Sequence, residues 1–214
     1  MLGGDLSLAW RQGCRVRRAS RGRPRHGSPS RPVNIVAVGL PIFTERLAMR
    51  AYEPGDLSQL HTVLYGDPAA MALLGGARDL ANTRAAIERS MLQQEVGGHS
   101  FWPVFERESG LLIGEAGLFP LAPGGPDIAL GYAFGRDFWG KGYATEAGQS
   151  VLDEGFGPLE LNRIVAITRD ANTRSRKVLG KLGFRFDSRR HIWGAEQLYF
   201  VLDRDDRPVA GQPE

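Results

Sequence analysis

Between residues 44 and 203 the hydrophobic spacing switches repeatedly between alternation and helical period, and the order of those switches constrains the fold most tightly. "TERLAMRAY" (44–52) alternates Leu47, Met49 and Ala51 against Arg46, Arg50 and Tyr52, which is a strand pattern. Pro54 then stands near a helix start, and Leu57, Leu60, Val63 and Leu64 recur at helical spacing. A second helix is expected from Asn82, as N-cap, to Glu95, with Gly97 and Gly98 ending it. "SFWPVFERESGLLIGEAGLF" reads as two strands joined by a turn at 108–110, and "PDIALGYAFG" as a third. A helix over 144–156, a buried strand over 163–170, a helix over 173–182 closed by Gly183 and a strand over 197–203 follow. The order β-α-α-β-β-β-α-β-α-β, without internal repeat, predicts an α/β fold in which helices cover one mixed sheet.

Charge separates the chain into two parts. Residues 1–34 hold eight arginines against the single acid Asp5, or +7, so the net +3 of the whole leaves −4 on the remainder. A mildly acidic folded part gives no electrostatic footprint for nucleic acid, and no nucleic acid is expected to bind it. The Arg-, Pro-, Gly- and Ser-rich segment lacks apolar residues to bury, so a disordered tail is expected over 1–39, read as an upstream extension rather than an organelle transit peptide. The domain is expected over 40–206, with a flexible C-terminus over 207–214. No apolar run is long enough for a membrane-spanning helix, so no membrane is expected. The one cysteine, Cys14, excludes an internal disulfide and a cysteine-based metal site, and a cytoplasmic setting fits it. No His-x-x-x-His or metal-spaced acid cluster occurs, and no metal is expected.

"DFWGKGYATEA" (137–147) places two glycines around a lysine where a strand gives way to a helix. Glycine permits φ > 0 and close approach of a ligand to the backbone, and a helix start offers unpaired N–H groups, so the stretch suggests a phosphate cradle. Gly135 to Lys141 fits the spacing G-x-x-x-x-G-K of a P-loop, but the next residue is Gly142 instead of a Mg²⁺-binding Ser or Thr. A dinucleotide fingerprint starting at Gly140 would need glycine where Thr145 stands. Both readings fail.

"WGKGYATEA" (139–147), "NTRSRKVLGKLGF" (172–184) and "TERLAMRAYEPGD" (44–56), in this order and on these element types, resemble the GNAT acyl-CoA-dependent N-acetyltransferases over roughly residues 41–204. Within that superfamily the spelling is most similar to the branch that acetylates N-termini of ribosomal proteins and related small substrates. The resemblance implies the GNAT fold, with a single mixed, mostly antiparallel sheet flanked by helices, and acetyl-CoA as cosubstrate. It implies that the pyrophosphate lies on the loop and helix start formed by Trp139, Gly140, Lys141, Gly142, Tyr143, Ala144 and Thr145. The resemblance also implies that Phe134, at the end of the preceding strand, belongs to the same cofactor site. The first position of the family signature, Arg or Gln, is Trp139 here, which matters little to a site built from main-chain donors. Asn172 is implied to bond the pantetheine arm, and its position also suits a helix N-cap.

Acetyl transfer to an amine needs a neutral amine, donors for the oxyanion and a leaving thiolate. Many relatives carry a tyrosine general acid where this chain has Leu179, which leaves Ser175 as the local candidate beside the sulfur. Glu115 interrupts the apolar run "LLIGEAGLF", so it either points into the acceptor cleft as general base or faces solvent from a strand. His61, His99 and His191 read as surface or capping residues. Direct attack in a ternary complex is expected, since the only cysteine falls in the tail. A catalytically inactive acyl-CoA-binding regulatory module is the alternative. The acceptor, a small-molecule or peptide amine, stays open, and the resemblance allows a homodimer.

Overall fold

The computed structural model describes residues 38–122 and 125–207. The tail and C-terminal expectations fall almost entirely outside the described residues, as does Cys14. The elements are β1 (Ile42–Phe43), β2 (Leu47–Met49), α1 (Asp56–Leu60), α2 (Pro68–Met71), α3 (Leu80–Gly97), β3 (Phe101–Glu106), β4 (Leu112–Pro120), β5 (Ile128–Phe134), α4 (Tyr143–Phe156), β6 (Arg163–Thr168), α5 (Thr173–Lys181), β7 (Arg185–Ile192) and β8 (Ala195–Asp203). One eight-stranded sheet runs β1-β2-β3-β4-β5-β6-β8-β7, antiparallel throughout except for the parallel pair β5–β6. It is the mixed, mostly antiparallel sheet flanked by helices that was expected.

Each face has its own core. Leu47, Trp102, Ile113, Leu118, Leu130 and Phe134 pack under α4 and α5, with Val151, Leu152, Leu179 and Leu182 supplied by the helical side. On the other face Tyr52, Leu60, Leu64, Tyr65, Met71 and Ile87 pack with Leu112 beneath α1–α3. β4 is consequently buried from Leu112 through Leu118, which explains its near-continuous apolar run.

Several boundaries move. Asp79, not Asn82, caps α3: the Asn82 N–H donates to Asp79 Oδ1 at 2.7 Å. The first helix does not continue regularly through Val63 and Leu64, because after Leu60 the chain widens at His61–Tyr65, where the Gly66 N–H reaches the His61 carbonyl at 2.7 Å. That widening turns Tyr65 inward. β1, α2 and β7 were not anticipated. β7, "RFDSRRHI", is mostly exposed and rich in charge, as suits a sheet edge that must resist pairing with another chain. Such a strand carries no apolar alternation to read.

β5 and β6 meet through one register pair, Ala129↔Val165. Beyond it the strands part, and the opening lies at their C-terminal ends, where open α/β sheets bind ligands.

Candidate functional site

The cofactor-side residues come from the junction of β5 and α4. After Phe134, buried at the end of β5, a 3₁₀ turn at Arg136–Phe138 leads into Trp139. Gly140 and Gly142 have φ of 75° and 86°, and Gly142 is the N-cap of α4. A Cβ at Gly140 would meet no atom within 4 Å, so the backbone there is open to a ligand. The Thr145 and Glu146 N–H groups turn back on the Gly142 carbonyl at 3.0 and 3.1 Å. Those of Tyr143 and Ala144 precede the first intrahelical acceptor and face the helix start.

The loop is braced from outside. Arg46 Nη1 donates to the Lys141 carbonyl at 2.9 Å, and Arg46 pairs with Glu146 at 2.6 Å. Thr44 Oγ1 and the Arg46 N–H also donate to Glu146, at 2.6 and 2.8 Å. The Tyr143 hydroxyl donates to Glu106 on β3. Trp139, the departure from the family signature, donates its indole N–H to the Phe134 carbonyl at 2.8 Å and carries the Arg174 guanidinium 3.7 Å above its ring. The Lys141 ammonium lies 5.1 Å from the Phe138 ring centre.

Across the opening, Asn172 caps α5 by accepting from the Ser175 N–H at 3.2 Å. Ser175 shares a 3.1 Å hydrogen bond with the Tyr132 hydroxyl, which also donates to the Ser175 carbonyl at 3.2 Å. Leu130, Tyr132 and Phe134 alternate onto the α4–α5 face of β5, and that period-2 pattern could have flagged Tyr132 from sequence. Burial pushes the Tyr132 phenol up to about 12, so it keeps its proton and remains a donor at neutral pH. Leu179 is packed into the core.

Glu115 resolves the other way from a solvent-facing strand residue. It pairs in register with Ala133 and points to the α1–α3 face, where it is 5% exposed. The Tyr52 hydroxyl donates to its Oε2 at 2.6 Å and the Tyr65 hydroxyl to its Oε1 at 2.5 Å. Arg78 sits 4.3 Å from the Tyr65 ring centre. Burial raises the Glu115 pKa above the ordinary carboxylate value, and the two phenol hydrogen bonds work against that rise. Both phenols are themselves raised well above 10, by burial first and then by the Glu115 charge. Neither partner was foreseen: they stand 63 and 50 residues away in sequence.

One cavity of about 580 Å³ joins these groups through the gap between β5 and β6. It is lined by Gly140, Gly142 to Thr145, Phe134 and Trp139 at one end, by Tyr132, Asn172 and Ser175 at the waist, and by Glu115 and Tyr65 beyond it. That volume is within the range of roughly 300–1,000 Å³ typical of ligand pockets. Its charged lining is cationic apart from Glu115: Arg78, Arg89, Arg174, Lys177 and Lys181. Of the expected site residues only Lys141 does not line the cavity. His61 Nδ1 lies 2.9 Å from Thr83 Oγ1, His99 Nδ1 lies 2.6 Å from the Gly97 carbonyl, and His191 is exposed. Among the described residues no group of three or more His, Cys, Asp or Glu could hold a metal ion, and no helix is long and apolar enough to cross a membrane.

The profile of the family described as "Acetyltransferase (GNAT) domain" matches residues 46–185. An uncharacterized N-acetyltransferase, p20 of Bacillus licheniformis, is 32% identical over 146 residues, which is 67% of this chain and 82% of that protein. A GNAT-family acetyltransferase structure from Bacillus anthracis superposes with a TM-score of 0.67 at 25% identity, covering 78% of this chain and 99% of that one. Mycobacterium smegmatis RimJ in complex with CoA-disulfide shares the fold, with a TM-score of 0.62 at 19% identity over 76% of this chain and 84% of that one.

Proposed function

The chain belongs to the GNAT acetyltransferase family, and from that premise we propose that it moves the acetyl group of acetyl-CoA onto a primary amine, of a protein N-terminus or a small molecule, by direct attack in a ternary complex. The observation that carries this reading is the single cavity that runs from the Gly140–Gly142 helix start to the buried Glu115 carboxylate. A cofactor entering on the α4–α5 face and an amine entering on the α1–α3 face would meet in the gap between β5 and β6.

The pyrophosphate is assigned to the main-chain N–H groups of 139–145, where the helix start favours an anion. Arg174, held over the Trp139 ring, adds a cation at the same end. Asn172 is committed to capping, so its contribution to the pantetheine arm is to fix the start of α5 and with it Ser175. Glu115 is the general base: it lines the cavity, its raised pKa improves its basicity, and the two phenol donors favour the ionised form that can take a proton from the ammonium. Tyr132 and Ser175 supply the sulfur side, where a neutral hydroxyl donates to the developing thiolate charge. A coenzyme thiol is acidic enough, with a pKa of about 8.5 by analogy with cysteine, to leave with that support alone.

Acetyl-CoA consumption against a panel of amines, read as released thiol, tests the reading. Turnover with at least one amine is expected, whereas CoA binding without turnover of any would leave a binding module. Ser175→Ala should lower turnover roughly tenfold with acetyl-CoA affinity nearly kept, because Tyr132 retains its own hydroxyl and only the pair is broken. Unchanged turnover would return Ser175 to an ordinary helix residue, and a lost cofactor affinity would move it from chemistry to binding.

A further inference from the structure

Beyond Glu115 the α1–α3 face of the sheet carries a row of aromatic rings that the chemistry above does not use. On β4, Glu115, Gly117 and Phe119 share that face, and Phe101 on β3 stands opposite Gly117. The Phe101 and Phe119 rings stack at 5.1 Å with 22° between their planes, and Trp193 continues the row 6.1 Å from Phe119. All three line the same cavity as Glu115.

Two features show that the row is built and not incidental packing. At Gly131 a Cβ would lie 2.4 Å from Phe101 Cζ and 2.9 Å from Phe119 Cε1, so the rings can lie on the sheet only because this position has no side chain. Trp193 occupies a two-residue turn between Ile192 and Ala195, with φ of 52° followed by 75° at Gly194. A turn with positive φ at both central residues favours Asn-Gly or Asp-Gly, and a bulky tryptophan there is strained. Strained backbone of this kind concentrates at binding sites. Here it sets a half-buried indole at the cavity wall, resting with Phe119 on the small buried cluster of Leu121, Ala129, Val165, Tyr199 and Val201.

We propose that the acceptor amine carries a flat apolar ring about two carbons from its nitrogen, and that Phe101, Phe119 and Trp193 hold that ring while Glu115 receives the amine. This rests on the acetyl-transfer reading of the same cavity. The spacing follows from the strand: Gly117, opposite Phe101, is two residues from Glu115 on the same face, so the backbone under the first ring lies about 7 Å along β4 from that of Glu115. An amine in hydrogen-bond reach of Glu115 then places a ring two carbons away against Phe101.

Kinetics with three probe amines, 2-phenylethylamine, 2-cyclohexylethylamine and n-propylamine, tests this in the full chain at saturating acetyl-CoA. The expected kcat/KM for 2-phenylethylamine exceeds that for n-propylamine by at least about tenfold, with the cyclohexyl compound between them, since a puckered ring is equally apolar but stacks poorly. Trp193→Asn suits the turn's positive φ and removes the indole, and Phe119→Leu keeps an apolar side chain. Each should shrink the ring preference about fivefold. Equal kcat/KM for the three amines, or a preference that survives in both variants, overturns the ring subsite and leaves acetyl transfer standing. Failure of every amine in the wider panel overturns acetyl transfer itself, and this inference with it.

Discussion

Glu115→Gln is expected to lower turnover by about 10²–10³-fold while the melting temperature at neutral pH stays level or rises. The two effects have one cause. A carboxylate buried against Tyr52 and Tyr65 sits where its charge is disfavoured, and its pKa is raised in the folded chain, mainly by desolvation. A carboxyl group whose folded pKa lies above its unfolded value of about 4.3 stabilises the fold below that value. The contribution is lost as pH rises through the folded pKa, and above that pKa the ionised group opposes folding. Glutamine has nearly the same shape and no charge, so it removes that opposition. Its amide oxygen can still accept from one tyrosine, and the other hydroxyl can turn to accept from the amide N–H. What glutamine cannot do is take a proton from the amine. The pH profile separates this from a merely structural role. Wild-type kcat/KM should fall as pH drops through the raised Glu115 pKa, and in Glu115→Gln that acid limb should disappear. A variant with full turnover and an unchanged profile would remove Glu115 from the chemistry.

The parts of this site differ in how far local sequence determines them. The turn at 139–145 is legible because a strand, two glycines and a helix must follow one another within a few residues, and each leaves a local pattern. The cap at Asn172 is legible for the same reason. Glu115 is legible as an anomaly but not as an orientation. In β4, buried on both faces, the apolar run has no alternation, so nothing local says which face the carboxylate takes. Its partners Tyr52 and Tyr65 arrive through the fold, and Tyr65 only because the helix widens after Leu60. The Tyr132–Ser175 contact likewise depends on how far β5 and β6 part, which a one-pair register decides and no sequence pattern encodes. β7 was missed because an edge strand is selected for charge, and it is β7 that brings Trp193 to the cavity.

Gly142→Val should weaken CoA binding about a hundredfold, or about 2.7 kcal/mol, in a protein that still melts cooperatively. At φ 86° a β-branched residue is strained, and the cheapest relief is to rotate the peptide units on either side of position 142. Those units carry the N–H groups assigned to the pyrophosphate. A hydrogen bond to a charged group contributes about 1.5–3 kcal/mol, so misdirecting one or two of them accounts for the loss. The new side chain also starts 3.3 Å from Arg46 Nη2, and that guanidinium holds both the Lys141 carbonyl and Glu146. Strain and displacement therefore act on the same loop. The fold should survive, because beside Tyr143 the packing of α4 rests on Ala147, Val151, Leu152 and Phe156, more than a turn away. Gly142→Asn supplies the control. Asparagine tolerates the left-handed region, so it should keep most of the affinity that valine loses. Calorimetric titration of CoA into both variants is the measurement. Equal affinity for wild type and Gly142→Val would mean that the phosphates lie elsewhere. Equal losses for valine and asparagine would mean that side-chain bulk, and not backbone direction, controls the cradle.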